Sequence, residues 1–148
     1  MATMEEFVLD EQLCFALNTA SRAMTGCYRP LLDEIGLTYT QYAVMLVLWE
    51  QETVTLGLLG HRLQLDSGTL SPLLKRLEVL GLLTRRRRAE DERTVQVTVT
   101  QAGLALRERA SAAQQQVVAA TGLDREALAE MRDALQALTG RLRTAAAS

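Results

Sequence analysis

The sequence predicts a mainly α-helical chain with one small β-hairpin. The chain has 148 residues, 48% of them hydrophobic, with only 2 Pro and 9 Gly, which suits one domain with a buried core. Apolar residues recur at helical spacing over most of its length. Between residues 82 and 100 the period changes to two, and Thr and Val become frequent. This composition excludes a disordered or collagen-like chain.

The composition also excludes several other kinds of protein. The longest apolar stretch, Tyr42 to Trp49, has eight residues, whereas a membrane span needs about 20. The first residues, MATMEEFVLDEQ, are acidic, so we expect no export signal and a cytoplasmic protein without a membrane partner. Two cysteines make no disulfide framework, and His61 is the single histidine, so we expect neither a metal site nor a cofactor.

The first part of the chain predicts two helices. Apolar residues recur at helical spacing over residues 5–35, and Pro30 should kink or break this helix. Thr38 or Thr40 can cap a second helix over residues 41–52. Its run YAVMLVLW is apolar on nearly all sides, so this helix should be central and buried.

Two further helices are predicted in the middle of the chain. Residues 53–55 favour a short strand, and residues 56–63 a short helix. Asp66 or Ser67 can cap a longer helix, which Gly81 would end. The apolar positions of that helix are Leu70, Leu73, Leu74, Leu77 and Leu80.

A β-hairpin and two helices complete the predicted elements. Residues 82–88 and 94–100 alternate with period two on either side of the turn sequence AEDER. From Ala102 the pattern is helical again until Gly122 breaks it. A last helix should cover residues 125–143, and the terminal TAAAS should fray.

Residues 53–100 therefore combine a helix–turn–helix with a two-stranded wing, a known way of placing a helix in the major groove of DNA. The charge distribution is compatible with this function. The net charge of −2 comprises −5 over residues 1–65, +2 over residues 66–99, where Arg85–Arg88 are consecutive, and +1 over residues 100–148. A solvated surface segment is the alternative interpretation of such a run. A DNA-binding protein needs positive charge on one face only.

The stretch LGLLGHRLQLDSGTLSPLLKRLEVLGLLTRRRRAEDERTVQVTVTQAG resembles the winged helix of the MarR family of bacterial repressors. The helix ending at Gly81 and the D-E-R of residues 91–93 carry the resemblance. It implies a single MarR-like domain over residues 1–148. Residues 5–52 and 102–148 would supply dimerisation helices, and residues 53–100 would bind double-stranded DNA.

The N-terminal stretch LDEQLCFALNTASRAMTGCYRPLLDEIGLTYTQYAVMLVLWE is similar to the organic-hydroperoxide-sensing branch of that family. The resemblance implies that Cys14, in the L-C-F triplet, is the sensing cysteine and that Tyr28 and Tyr39 assist it. It further implies a homodimeric repressor that releases its operator when an organic hydroperoxide oxidises Cys14.

This chemistry makes demands on the surroundings of Cys14. The thiolate is the form that reacts with peroxide, and apolar neighbours such as Leu13 and Phe15 disfavour it. Phenol hydroxyls that donate hydrogen bonds to the sulfur give Tyr28 and Tyr39 a physical role. The alternative is that Cys14 is a small buried apolar residue, the commonest fate of a cysteine.

Cys27 is a possible second thiol. Thirteen residues separate it from Cys14, which is about 20 Å along a continuous helix, and a disulfide needs Cα atoms within about 7 Å. Members of this branch with two cysteines keep the second one in the C-terminal region, where this sequence has none. We therefore expect a small cellular thiol to cap oxidised Cys14, or further oxidation to sulfinic acid. A bond to Cys27 of the partner subunit remains open.

The DNA contacts are expected on the longer helix and on the wing. Small hydroxyl residues at the helix start allow close approach, and two basic residues supply charge. In the wing, the family pattern inserts Arg93 into the minor groove, and Asp91 steadies it. Arginines on a strand alternate between its two faces, so at most about half of Arg85–Arg88 can reach DNA. The candidates are Ser67, Gly68, Thr69, Ser71, Lys75, Arg76, Arg86, Asp91 and Arg93.

Two-fold symmetry predicts a pseudo-palindromic operator with half-sites about one turn apart. Two other functions stay open at this point. A MarR-type repressor could instead be released by a phenolic or lipophilic ligand, with an incidental cysteine. A thiol peroxidase using Cys14 is the enzyme alternative, disfavoured by the wing and by the lack of a second cysteine at the expected place.

Overall fold

The computed structural model describes residues 7–91 and 93–147. The chain divides into two compact units, Met1–Gln114 and Gln115–Ser148. The first unit contains two N-terminal helices, the helix–turn–helix and a three-stranded sheet. The second contains the end of one helix and the whole of the last.

Helix α1 covers Leu13–Asp33. It begins later than the predicted residue 5. A single 3₁₀ turn, Leu9–Glu11, precedes it, and Gln12 between the two is extended, so the helix does not continue backwards. Residues 5 and 6 lie outside the described residues. The expected break at Pro30 is absent, because Pro30 stands in the last turn of α1, where a missing N–H costs a single helical hydrogen bond.

Helix α2 covers Tyr39–Gln51 and lies at the centre of the first unit. Thr38 is its cap, as predicted: the Thr38 side chain accepts from the Gln41 N–H at 3.2 Å, and the Gln41 side chain accepts from the Thr38 N–H at 3.0 Å. Val44, Met45 and Leu48 have no exposed surface, which confirms the predicted burial.

The winged helix follows the predicted order, and the short strand predicted at residues 53–55 joins the two hairpin strands in one sheet. The strands pair antiparallel in the order β1-β3-β2, because Val54 of β1 pairs with Val97 of β3 and Leu83 of β2 pairs with Val99. The elements are β1 Thr53–Thr55, α3 Leu56–Leu63, α4 Ser67–Val79, β2 Leu83–Arg87 and β3 Val95–Val99.

The core of the first unit joins α2, α3, α4 and the sheet. Its fully buried leucines include Leu59, Leu70, Leu74 and Leu77. After β3 the predicted single helix is divided at Leu106 into α5, Gln101–Ala105, and α6, Arg107–Ala120.

Gly103 of α5 marks a close approach of two segments. A Cβ atom at this position would overlap the Leu82 carbonyl and the Val99 side chain. Only glycine therefore lets α5 pack this closely on the sheet.

The second unit consists of the last turns of α6, a turn at Gly122 with φ of +69°, and helix α7, Arg125–Ala147. Asp124 caps α7 by accepting from the Ala127 N–H at 2.8 Å. The helix continues through the residues expected to fray, as far as Ala147, and none of its residues is buried. No helix within residues 7–91 and 93–147 is both long enough and apolar enough to cross a membrane.

Candidate DNA-binding and cysteine sites

The start of α4 is an exposed surface that carries most of the predicted DNA contacts of this helix. The Asp66 carboxylate accepts from the Thr69 N–H at 2.7 Å, and this hydrogen bond lowers the pKa of Asp66. Four buried leucines fix the opposite face of the helix. Of the predicted contacts, Ser71 is half-buried, and the exposed ones are Ser67, Gly68, Thr69, Lys75 and Arg76.

The tip of the wing is a tight turn held by Asp91. Its carboxylate accepts from the Arg93 N–H and from the Thr94 hydroxyl, both at 3.0 Å. The Arg88 N–H donates to the Thr94 carbonyl at 2.8 Å and closes the turn. Asp91 therefore steadies the backbone that carries Arg93, and the Arg93 side chain is exposed. Glu92, in the predicted D-E-R triplet, lies outside the described residues.

The arginines of β2 face two directions. Arg85 lies opposite Val97 in the sheet register and is half-buried. Its N–H and its guanidinium both donate to the Glu78 carboxylate, at 3.1 and 3.2 Å. Arg86, next along the strand, points to the other face and is exposed. The expected alternation along the strand holds for Arg85 and Arg86, and how many of the four arginines reach DNA stays a prediction.

Both cysteines are exposed on α1. Both thiols are free, and within the described parts of the chain no three His, Cys, Asp or Glu side chains cluster as metal ligands. Because α1 is continuous from Leu13 to Asp33, the two cysteines lie about 20 Å apart in one chain. A disulfide between them within one chain is excluded.

An aromatic cluster lies at the other end of α1. The ring of Tyr28 is 5.6 Å from that of Tyr39 and 5.2 Å from that of Tyr42. Burial, and next the neighbouring Tyr28, raise the pKa of Tyr39. Burial and an interaction with the Tyr28 hydroxyl raise the pKa of Tyr42 further. Tyr39 and Tyr42 therefore stay protonated and able to donate at neutral pH.

Sequence reasoning missed Tyr42 as part of this cluster. Tyr42 follows Tyr39 by three residues on α2, and this spacing places both side chains on one helix face. The spacing was the available signal, but the apolar run around Tyr42 suggested core packing only.

The structure does not bring Cys14 and the tyrosines together within one chain. Fourteen residues of one helix separate Cys14 from Tyr28, which is about 21 Å along the axis. A tyrosine side chain cannot span that distance. Tyr39 lies beside Tyr28 and is equally remote.

A chain of packed groups connects the tyrosines to the end of α4. The Tyr42 ring lies 6.4 Å from that of Trp49, whose Nε1 donates to the Gly103 carbonyl at 2.9 Å. Thr100, which caps α5 through the Gly103 N–H, donates its hydroxyl to the Gly81 carbonyl at 2.6 Å. Gly81 directly follows the last residue of the α4 cap.

A groove of about 280 Å³ lies beside this chain of contacts within the first unit. Aromatic and aliphatic side chains line the groove, and so do the charged residues Arg107 and Glu50. The lining residues are Tyr42, Leu46, Trp49, Glu50, Arg107 and Gln114, together with Ala110 and Ser111.

The helix–turn–helix, its exposed basic groups and the wing define a winged-helix DNA-binding protein. The family model for SarA/Rot transcriptional regulators matches residues 27–109. The chain is 53% identical over 102 residues to the organic hydroperoxide resistance transcriptional regulator of Bacillus subtilis (strain 168), which covers 69% of each protein. It is 46% identical over 139 residues to the regulator TtmR of Methylorubrum extorquens (strain PA1), covering 89% of this chain and 71% of TtmR.

Solved structures agree with this result. The structure of reduced AbfR bound to DNA superposes with a TM-score of 0.79 at 34% identity, over 95% of this chain and 96% of AbfR. AbfR comes from Staphylococcus epidermidis. The chain belongs to the MarR family of winged-helix transcriptional regulators, in the branch of the organic hydroperoxide resistance regulators. It is a DNA-binding regulator and not an enzyme, so the thiol peroxidase alternative is set aside.

Proposed function

We propose that this regulator is a homodimeric repressor that leaves its operator when an organic hydroperoxide oxidises Cys14. The observation that carries the proposal is the placement of an exposed Cys14 at one end of α1 and of the tyrosine cluster around Tyr28 at the other end. The 53% identity to an organic hydroperoxide resistance regulator supports this assignment of Cys14.

In this proposal the tyrosines that serve Cys14 come from a second chain. Because about 21 Å separates Cys14 from Tyr28 along the helix, the donors to the sulfur are Tyr28 and Tyr39 of the partner subunit. Two antiparallel copies of α1 side by side would place each cysteine near the other chain's cluster. Their hydroxyls would then stabilise the Cys14 thiolate.

The reaction is a two-electron oxidation of sulfur. The Cys14 thiolate attacks one peroxide oxygen, an S–O bond forms and the O–O bond breaks. The alkoxide leaves and takes up a proton to become the alcohol, so the thiolate is oxidised to sulfenic acid and the peroxide is reduced. A small cellular thiol then displaces the sulfenic hydroxyl as water and leaves a mixed disulfide. A thiol that must be reduced at rest suits the cytoplasm.

Release follows from the contacts between the tyrosines and α4. A bulky group on Cys14 displaces Tyr28 of the partner subunit, and the packing through Tyr42, Trp49 and Gly103 carries that shift to Gly81 at the end of α4. Two recognition helices must fit two half-sites of a pseudo-palindromic operator. Specific binding exceeds non-specific binding by about 4–10 kcal/mol, and a changed helix spacing removes much of that difference.

The operator contacts in this proposal are those with free access to DNA. Lys75 and Arg76 of α4 bind phosphates or base edges, Arg93 enters the minor groove from a turn held by Asp91, and Arg86 lies on the free face of β2. At the start of α4, Ser67, Gly68, Thr69 and Ser71 approach the major groove.

The oxidised end state is assigned to the mixed disulfide. A structure of overoxidised AbfR is bound to DNA, and another contains AbfR with a disulfide formed. By analogy, sulfinic acid at Cys14 alone does not release the operator of this chain. Cys27 of the partner subunit is the competing thiol.

A mobility-shift assay on DNA from the protein's own promoter tests the proposal. Cumene hydroperoxide plus glutathione should abolish the shift of the wild type, and dithiothreitol should restore it. Cys14→Ser should bind DNA and ignore the peroxide, whereas Cys27→Ser, the matched exposed cysteine on the same helix, should respond like the wild type. A Cys14→Ser protein that still releases DNA refutes the proposal.

Nonreducing gels of the same samples separate the two disulfides. Capping by glutathione leaves monomer-sized bands of increased mass. A covalent dimer that Cys27→Ser abolishes would replace the capping step by a bond between subunits.

A second candidate function is supported by the groove beside Trp49. Tyr42, Trp49 and Arg107 line this groove, a combination that suits an aromatic carboxylate. The related regulator NadR has been solved in complex with 4-hydroxyphenylacetate. In this case 4-hydroxyphenylacetate would release both the wild type and Cys14→Ser from DNA. Release of neither protein by this compound counts against the ligand hypothesis.

A further inference from the structure

An ion pair joins the recognition helix to the wing. The Arg85 guanidinium of β2 lies 3.2 Å from the Glu78 carboxylate in the last turn of α4, and the same carboxylate accepts from the Arg85 N–H at 3.1 Å. The two side chains are 28% and 38% exposed, so the contact is half-sheltered from water.

The pair bridges the turn between α4 and β2. Between α4 and β2 the chain reverses at Gly81, with φ of +78°. Backbone bonds to this turn come from the Gly81 N–H to the Glu78 carbonyl and from the Leu82 N–H to the Leu77 carbonyl. The Glu78 side chain adds the direct tie from the helix to the strand beyond the turn.

We propose that Glu78 and Arg85 are positioning residues for DNA binding, which set the wing at a fixed angle to the recognition helix. Arg85 is then not a phosphate contact, although it begins a run of four arginines. Glu78 promotes DNA binding although its charge repels phosphate. The pair would fix the orientation of α4, which carries Lys75 and Arg76, relative to the hairpin, which carries Arg93 at its tip.

The sign of the effect at Glu78 separates positioning from plain electrostatics. Removing a carboxylate beside a DNA-binding surface should tighten binding if charge alone matters. Removing a positioning group should weaken binding. The recognition helix and the wing must enter the major and the minor groove together, and a loosened wing makes this simultaneous contact less favourable.

The experiment measures the affinity of the reduced protein for its promoter DNA by fluorescence anisotropy at several salt concentrations. Glu78→Gln and Arg85→Gln should each bind about three- to fivefold more weakly, as expected for a partly exposed pair. The double variant should be little weaker than either single one. The slope of log affinity against log salt should match the wild type for Arg85→Gln. Loss of a phosphate contact would instead reduce its magnitude by about 0.9.

Glu90→Gln is the matched control, since Glu90 is an exposed carboxylate of the wing loop. It should bind DNA as tightly as the wild type or more tightly. The proposal is overturned if Glu78→Gln also binds more tightly, or if Arg85→Gln shows the reduced salt slope.

If Glu78→Gln does not fold, judged by circular dichroism, Glu78→Asp decides. This variant keeps the charge but has a shorter side chain, so wild-type affinity would overturn the proposal. No peroxide is used, so the outcome is independent of the proposed redox response.

Discussion

The winged helix and the cysteine-bearing helix α1 differ in how much of their function one chain contains. In the winged helix, Leu70, Leu74 and Leu77 bury one face of α4, and hydrogen bonds within the chain hold Asp66 and Asp91 in place. Contacts within one chain therefore position the groups that we propose to bind DNA.

Helix α1 has the opposite character. Cys14 is exposed, and Leu13 and Met24 are 61% and 45% exposed on the same helix. The tyrosines proposed to serve Cys14 lie about 21 Å away along the axis. The fraction of protein with an assembled site depends on the stability of the core where the site lies within one chain. It depends on the dimer dissociation constant where the site is shared between chains. The three predictions that follow test this difference.

The largest effect is expected in the core of the winged helix. Leu74 on α4 has no exposed surface, so Leu74→Ala should lower the free energy of unfolding by about 2–5 kcal/mol. Operator binding should weaken in parallel at 37 °C. Urea denaturation followed by circular dichroism measures the first effect and a mobility shift the second.

Val79→Ala is the control on the same helix, because Val79 is 79% exposed. Its unfolding free energy should change by at most about 0.5 kcal/mol. Equal costs for the two variants would mean that α4 takes its stability from contacts outside its own chain.

The next effect concerns α7, which has exposed apolar residues and no buried ones. Met131, Leu135 and Leu142 stand four and seven residues apart, on one face of the helix. Leu135 is 40% exposed. If a second copy covers this face, Leu135→Lys loses about 0.6–1.2 kcal/mol of apolar burial per subunit and places a charge in the contact instead. The dimer dissociation constant from analytical ultracentrifugation should then rise at least about tenfold.

Gln136→Lys adds the same charge one residue along, on a different side of α7. It should leave the dissociation constant within about twofold of the wild type, since exposed surface positions tolerate charge. If the two lysine variants behave alike, the apolar face of α7 is not the dimer contact.

The same difference explains which features the sequence could predict. Local signals sufficed for Thr38 and Asp66 as caps and for the hairpin strands, because caps and period-two patterns act over a few residues. The place of the first strand in the sheet needed Thr53 to meet Thr98 across the chain, a pairing without a local signal. The helix start at Leu13 depended on an extended Gln12, where the apolar periodicity pointed further back.

Roles within the arginine run and around the cysteine were harder to predict for physical reasons. Arg85 and Arg86 are the same residue type, so the sequence does not distinguish them. The strand register decides their roles: Arg85, opposite Val97, contacts Glu78, and Arg86 faces outward. The resemblance named Cys14, Tyr28 and Tyr39 together. The helix length then removes them from contact within one chain, which sequence similarity alone does not reveal.

The smallest effect is expected at the site that we propose two chains share, and it includes a prediction about pH. Tyr39→Phe removes one proposed donor to the Cys14 thiolate of the partner subunit, so the rate of Cys14 oxidation by cumene hydroperoxide should fall about 10- to 100-fold. Burial and the neighbouring Tyr28 raise the pKa of Tyr39 above its ordinary value of 10.0. Its hydroxyl therefore keeps its proton between pH 7 and pH 9, and the ratio of wild-type to Tyr39→Phe rates should stay constant over that range.

Rapid-quench trapping of the sulfenic acid measures both rates, and an unchanged operator affinity of the reduced variant shows that the winged helix is intact. A ratio that falls towards one by pH 9 would mean that Tyr39 ionises early, and the donor role would have to pass to another group of the cluster.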